Sequence, residues 1–289
     1  MAGSDPTSFQ QGERRPVKRT ISLLCLCMAL VLTGCVTTNQ GGPSSGGGDT
    51  ARNASYDEAR DLYNLGIIAF DAGNYTVALE YLNRAKTLWA GSEEGEADVL
   101  LARARVYSAI DQYDLALADI ARLISQSADN PEAYFDRAVI SYRLGNVSGA
   151  EDDLLSALTL DPTYARAHNL MGVIHRSRND LELALASINN AVRYDDSYAP
   201  GYYNRGLIKF DMGDWEGAVT DFSEAIVRYT DDQTDYLAQA HCRRAEAFLM
   251  LGNVKMAEKD REKAEVLSPG MCDGGQDLNE IRGKGGVSR

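Results

Sequence analysis

The feature that most constrains this chain is a repeat. An alanine placed a few residues past a turn returns at Ala78, Ala116, Ala150, Ala184, Ala218 and Ala257, at spacings of 38, 34, 34, 34 and 39. A period of roughly 20–50 residues marks a stack of one supersecondary unit, each copy too small to bury its apolar face alone. The same residue types recur around each alanine. Repeat one has Leu65-Gly66, Gly73-Asn74-Tyr75, Leu82 and Ala85, and repeat two has Leu100, Ala104, Tyr107, Tyr113 and Ile120. Repeat three has Tyr134, Ala138, Leu144-Gly145, Leu154, Ala157 and Pro162, and repeat four has His168, Met171-Gly172, Ile188 and Ala191. Repeat five has Tyr202, Gly206, Gly213-Asp214-Trp215, Phe222 and Ala225, and repeat six has Ala245, Phe248, Leu251-Gly252, Ala264 and Pro269.

Each unit reads as two helices of about fourteen residues folded back on each other. Gly66, Ala104, Ala138, Gly172, Gly206 and Ala245 sit where the first helix crosses the second, and a bulky side chain there would force the pair apart. The Gly-Asn and Gly-Asp turns supply a positive-φ residue to end one helix and a polar residue to cap the next. Pro131 and Pro200 open first helices, where a missing N–H is harmless. With Leu-Gly, aromatic, Ala, aromatic and Pro at these offsets, residues from about Ala59 to Pro269 resemble the tetratricopeptide repeat. The resemblance implies an all-α fold, a right-handed α-solenoid of six helix-turn-helix repeats over residues 55–269. The longer spacings predict insertions at Gly91–Gly95 and around Asp231–Thr234, which should loosen the stack into a 1 + 4 + 1 arrangement. Residues 270–289 should supply a polar C-terminal cap, with Met271–Arg282 as a short helix and a frayed tail.

Ahead of the repeats lies an address. The basic cluster Arg14, Arg15, Lys18 and Arg19 precedes a twelve-residue apolar run, Ile21–Leu32. Such a run is too short to span a bilayer, which needs about 20 residues, and fits a secretory leader. It ends in Leu32-Thr33-Gly34-Cys35, which resembles the lipobox of bacterial lipoproteins. That resemblance implies a signal peptide over 1–34, cleavage before Cys35, acylation of Cys35 and a membrane held through the lipid. Val36, where an Asp would retain the protein at the inner membrane, favours the outer membrane facing the periplasm. The Gly/Ser-rich stretch that follows Cys35, to residue 54, reads as a flexible tether.

Charge narrows the partners. The chain carries 29 basic and 42 acidic residues, net −13; without residues 1–34, which hold four basic and two acidic residues, the balance is −15. A general nucleic-acid binder should be basic, so that class is excluded. In the tetratricopeptide family the first helices line a concave groove that takes up peptides or helices of partner proteins. Read in that register, the groove residues are Tyr63, Phe70, Arg105, Phe135, Tyr142, Arg143, Arg166, Asn169, Arg176, Tyr203 and Phe210. Aromatic and arginine side chains of this kind dominate interface energy, although the same residues can pack against neighbouring helices or neutralise nearby carboxylates.

No enzyme is expected. His168, His175 and His241 fall at core-like helix positions without a third metal ligand at a suitable spacing, and no metal or other cofactor is implied. Acidic runs such as Glu151-Asp152-Asp153 read as solvated helix faces. Cys242 and Cys272 are candidates for a disulfide that staples the last repeat to the cap, with two free thiols as the alternative. Anchor and repeats together resemble lipid-anchored tetratricopeptide proteins of the bacterial envelope of the NlpI type, which bring cell-wall hydrolases and a protease together. The alternative is the PilF/TadD type, which assists assembly of outer-membrane secretin rings. The expected role is an adaptor for periplasmic or outer-membrane proteins: cell-wall enzymes, a protease or a secretin.

Overall fold

The computed structural model describes residues 47–272, which form twelve α-helices and, among the described residues, no strand. They are α1 Gly47–Asp71, α2 Tyr75–Leu88, α3 Glu93–Ala109, α4 Tyr113–Gln126, α5 Pro131–Arg143 and α6 Val147–Leu160, then α7 Ala165–Ser177, α8 Leu181–Tyr194, α9 Ala199–Asp211, α10 Trp215–Arg228, α11 Thr234–Met250 and α12 Val254–Leu267. Odd and even helices pair as six hairpins, and each hairpin packs on the next, so the chain is the α-solenoid that the period implies.

The small residues act where the sequence places them. A Cβ on Gly66 would lie 2.7 Å from Leu82 Cγ, one on Gly172 2.5 Å from Ile188 Cγ1, and one on Gly206 2.7 Å from Phe222 Cε1. The first helix therefore lies against the second with no room for a methyl group. Ala104, Ala138 and Ala245 are buried at the same register, and so is the whole series Ala78, Ala116, Ala150, Ala184, Ala218 and Ala257. Four hairpin turns end on a left-handed glycine: Gly73, Gly145, Gly213 and Gly252. In repeats two and four the same conformation falls to Asp111 (φ 59°) and Asn179 (φ 63°), the residue types that tolerate it best after glycine. Asn146, Asp214 and Asn253 then cap the second helix by accepting from the backbone N–H three residues on.

The lengthened spacings do not loosen the stack. The connection from α2 to α3 is four residues, as in the regular repeats, and that from α10 to α11 is five. The additional residues are helical instead: α3 and α11 are 17 residues long, against 13 for α5, α7 and α9. One further turn of helix takes about four residues, which absorbs the excess without opening a loop. Both junctions are continuous with the core. Trp89, Val99, Ala102 and Val106 join repeat one to repeat two, and Tyr229, Leu237 and Ala240 join repeat five to repeat six.

Two further expectations change at the ends. α1 starts at Gly47, so the helix begins inside the stretch read as a tether. Met271 and Cys272 lie in a turn after α12, not in a helix; the rest of the expected cap, the leader and Cys35 lie outside the described residues. No helix among the described residues is long and apolar enough to cross a membrane.

Candidate functional site

Six first helices, brought side by side, enclose a concavity of about 470 Å³. Each contributes a side chain: Phe70 from α1, Arg105 from α3, Phe135 and Arg143 from α5, Arg166 from α7, Tyr203 from α9 and Tyr236 from α11. One face of an arginine-bearing middle is thus flanked by Phe70 at one end and by a tyrosine cluster at the other, formed by Tyr198, Tyr203, Tyr229 and Tyr236.

The electrostatics of this concavity are set by which arginines are already paired. Arg105 Nε donates to Asp136 (2.6 Å) and its Nη2 to Glu132 (2.6 Å). These two carboxylates outweigh the effect of burial and hold the guanidinium above its usual pKa. Arg143 Nη1 donates to the Ser108 carbonyl at 3.5 Å. Arg166 is exposed and lies 4.7 Å from the centre of the Phe135 ring, a cation–π contact that fixes the guanidinium over an aromatic plate. Among the described residues no carboxylate forms an ion pair with Arg166. At the tyrosine end burial disfavours the phenolate, raising Tyr203 and Tyr229 and pushing Tyr198 up to about 12, so all three stay neutral donors at ordinary pH. Tyr229 and Tyr236 stack with centroids 5.6 Å apart. Chemically the concavity offers flat apolar plates, phenol hydroxyls and a cation: contacts suited to a polypeptide segment.

Of the sequence-derived groove residues, the structure brings Phe70, Arg105, Phe135, Arg143, Arg166 and Tyr203 to the concavity and leaves five elsewhere. Tyr63 packs on Trp89 with ring centres 5.9 Å apart. Tyr142 is half-buried and packs against the core of repeats three and four. Phe210 packs against the core of repeats four to six. Arg176 is tied to Asp211 at 2.6 Å. Asn169 is fully buried; its Oδ1 accepts from Asn204 Nδ2 at 2.9 Å, so it lies behind Asn204, which lines the concavity in its place. Phe135 itself is almost wholly covered and serves as the platform under Arg166.

Sequence reasoning missed Gln233, which caps α11, and Tyr236 and Gln239 within it; the insertion was read around Asp231–Thr234, and no groove residue was assigned to the helix that follows. It also missed Tyr198, which precedes its helix; the signal was Tyr164, 34 residues earlier at the same place.

A second regular feature was equally legible and unread. Arg103, Arg137, Arg205 and Arg244 each grip an aspartate sixteen residues on, in Asp119, Asp153, Asp221 and Asp260, with Nε–oxygen distances of 2.8, 2.8, 2.9 and 2.7 Å. Each pair joins the two helices of one hairpin. This corrects the reading of Glu151-Asp152-Asp153 as a solvated face, since Asp153 is buried on Arg137 and Glu151 pairs with Arg178. Repeat four has Met171 and Ser187 at the equivalent places.

Two of the three histidines have structural partners. His241 is buried with Nδ1 2.9 Å from Asp260 Oδ1, and His168 stacks on Tyr194 with its Nε2 2.9 Å from the Pro162 carbonyl. Among the described residues no three His, Cys, Asp or Glu side chains come together as a metal site. Cys242 and Cys272 form a disulfide that ties the turn after α12 to α11.

Tetratricopeptide-repeat models match residues 57–124 and 101–165. Human tetratricopeptide repeat protein 16 is 26% identical over 193 residues, 57% of this chain but only 22% of that protein. The chain therefore spans about a fifth of the length of that relative. The lipoprotein NlpI homolog of Haemophilus influenzae is 33% identical over 89 residues, 31% of this chain and 28% of that protein. Among solved structures, Pseudomonas aeruginosa PilF superposes with a TM-score of 0.62 at 16% identity, covering 78% of this chain and 97% of that one; at this identity the likeness concerns the fold. The repeat models thus match over the first three of six consecutive hairpins, and the remaining three keep the same helical fold in the same register.

Proposed function

We propose that this chain is a lipid-anchored scaffold of the bacterial envelope, acylated at Cys35, held at the outer membrane and facing the periplasm. Its groove takes up segments of periplasmic or outer-membrane proteins, cell-wall enzymes or a protease foremost, and carries out no chemistry on them. The single observation that carries this reading is the concavity to which all six first helices contribute, with Arg166 laid on Phe135 at its middle. Support for the anchor comes from the run of basic residues, the apolar stretch and the Leu32-Thr33-Gly34-Cys35 box, and from the local likeness to a relative whose name is that of a lipoprotein. Tethering would act by concentration: a partner bound in an anchored groove is confined near the membrane, and a second partner on the same scaffold meets it at an effective concentration that can reach the millimolar range.

The test has two arms. Cys35→Ser should abolish incorporation of labelled palmitate and move the protein from the membrane to the aqueous fraction. Capture from envelope extract should be lost on Arg166→Glu and Tyr236→Ala while the helical circular dichroism is unchanged. Undiminished capture by both variants contradicts the groove. A secretin subunit as the dominant captured protein would replace the enzyme-recruiting role with an assembly role of the PilF/TadD type.

A further inference from the structure

The concavity carries the opposite charge to the molecule around it. The chain as a whole is acidic, net −13. Among the described residues that line the concavity, Arg105, Arg143 and Arg166 stand against a single carboxylate, Asp136. Asp136 is engaged by Arg105, which also holds Glu132 from outside the lining. Arg166 is exposed over Phe135 and forms no ion pair among the described residues, so its charge is left for whatever enters. A cleft of one sign in a body of the other focuses its field and steers ligands of opposite charge. A duplex or an anionic bilayer would be repelled by the net charge of the chain, and a concavity of about 470 Å³ is too small to admit either. A narrow acidic segment of a protein fits on both counts.

The helix order sets the pattern of that segment. α5, α7 and α9 supply Arg143, Arg166 and Tyr203 in turn, and α11 supplies Tyr236. Packed helices lie about 8–10 Å apart, and an extended chain rises about 3.3 Å per residue. A segment laid across the first helices therefore meets a new one about every three residues. Two carboxylates at that spacing span α5 to α7, and a ring further along reaches the tyrosine end, where aromatic faces are the contacts on offer. Between these anchors Asn204 and Gln239 present neutral amides that can donate to and accept from a backbone. We propose that the groove selects an extended acidic segment, with two carboxylates about three residues apart, the inner one bound by Arg166, and an aromatic residue about three to six residues beyond it. This rests on the groove being the docking site.

Fluorescence anisotropy of labelled peptides on the purified chain tests it. GEGGEGGWG and its reversal GWGGEGGEG cover both directions of entry, and the same peptides with Gln or Lys in place of Glu are the controls. One Glu peptide should bind about tenfold or more tighter than its Gln counterpart at about 50 mM salt, and added salt should shrink the advantage. Arg166→Gln should remove it while the circular dichroism and the weaker binding of the Gln peptide stay unchanged. A Gln or Lys peptide that binds as well, or a Glu preference that survives Arg166→Gln, overturns the proposal. In that case the groove itself still stands if capture from envelope extract is lost on Tyr236→Ala; capture undiminished by Tyr236→Ala and by Arg166→Glu removes the docking site as well.

Discussion

Arg205 and Asp221 stand sixteen residues apart and meet across the α9–α10 hairpin by two hydrogen bonds, of 2.9 and 2.7 Å, with the Asp221 side chain 1% exposed. Lys209 reaches the same carboxylate at 2.8 Å. Asp221→Asn leaves both cations short of their counter-charge in the hairpin, and loss of a buried partner costs roughly 3–5 kcal/mol. Arg178→Ala, which removes the more exposed pair with Glu151, should cost about 1 kcal/mol or less. Denaturant midpoints of the two variants check the ranking; equal losses would contradict it.

Gly172 and Gly213 should fail for different reasons when changed to alanine. At Gly172 the new Cβ meets Ile188 Cγ1 at 2.5 Å and the Ala184 carbonyl at 3.1 Å, an overpacking cost of roughly 1–3 kcal/mol. At Gly213 there is open space but φ is +82°, so the cost is conformational, about 1 kcal/mol. Trimming Ile188 to Ala should restore part of the Gly172→Ala loss and none of the Gly213→Ala loss, as read from thermal midpoints.

Acid should attack the last hairpin through Asp260. Burial alone would raise this carboxyl, but hydrogen bonds from Arg244 and His241 more than offset it and hold the group below its ordinary value of 3.8. A depressed carboxylate contributes stability that is present above the unfolded pKa and lost as pH falls through the folded one. Wild type should therefore lose stability faster than Asp260→Asn below pH 3.8. Parallel acid-unfolding curves would contradict this.

The opposite sign applies at the tyrosine end of the groove. Tyr198, pushed up to about 12 by burial, keeps its proton in the folded chain after the unfolded chain has lost it. Its contribution is complete below the ordinary value of 10.0 and is lost as pH rises toward 12. Absorbance titration of Tyr198→Phe should remove one late-ionising phenol and flatten the alkaline loss of stability.

Reduction should loosen the C-terminal end. The Cys242–Cys272 bridge spans 30 residues of sequence, and closing a loop of that length contributes roughly 3–4 kcal/mol by restricting the unfolded chain. Cys242→Ser and reductant should each lower the thermal midpoint, and reductant should have no effect on the variant.

Much of the fold was legible because the signal is periodic. Gly66, Gly172 and Gly206 reveal close helix crossings since no larger residue fits against Leu82, Ile188 and Phe222. The places where reading failed share a cause. Extra residues between Ala78 and Ala116, or between Ala218 and Ala257, can enter a loop or add a helical turn, and period alone does not choose; tertiary packing chose the turn, and with it Tyr236 entered the groove. Register likewise names a helix face but not its depth. Asn169 and Arg166 lie on one such face three residues apart, yet one is sealed against Asn204 and the other is exposed over Phe135. The Arg–Asp pairs were readable in principle, as arginines at the repeat period each followed sixteen residues later by aspartate.

The central claim is that partners enter the concavity and not another face. A photo-crosslinking residue placed at Val139, which lines the concavity, and another at Leu155, exposed on the second helix α6, tests this directly in intact cells or envelope extract. Covalent adducts from Val139 and none from Leu155 are the expected result. Adducts from Leu155 with none from Val139 would contradict the account.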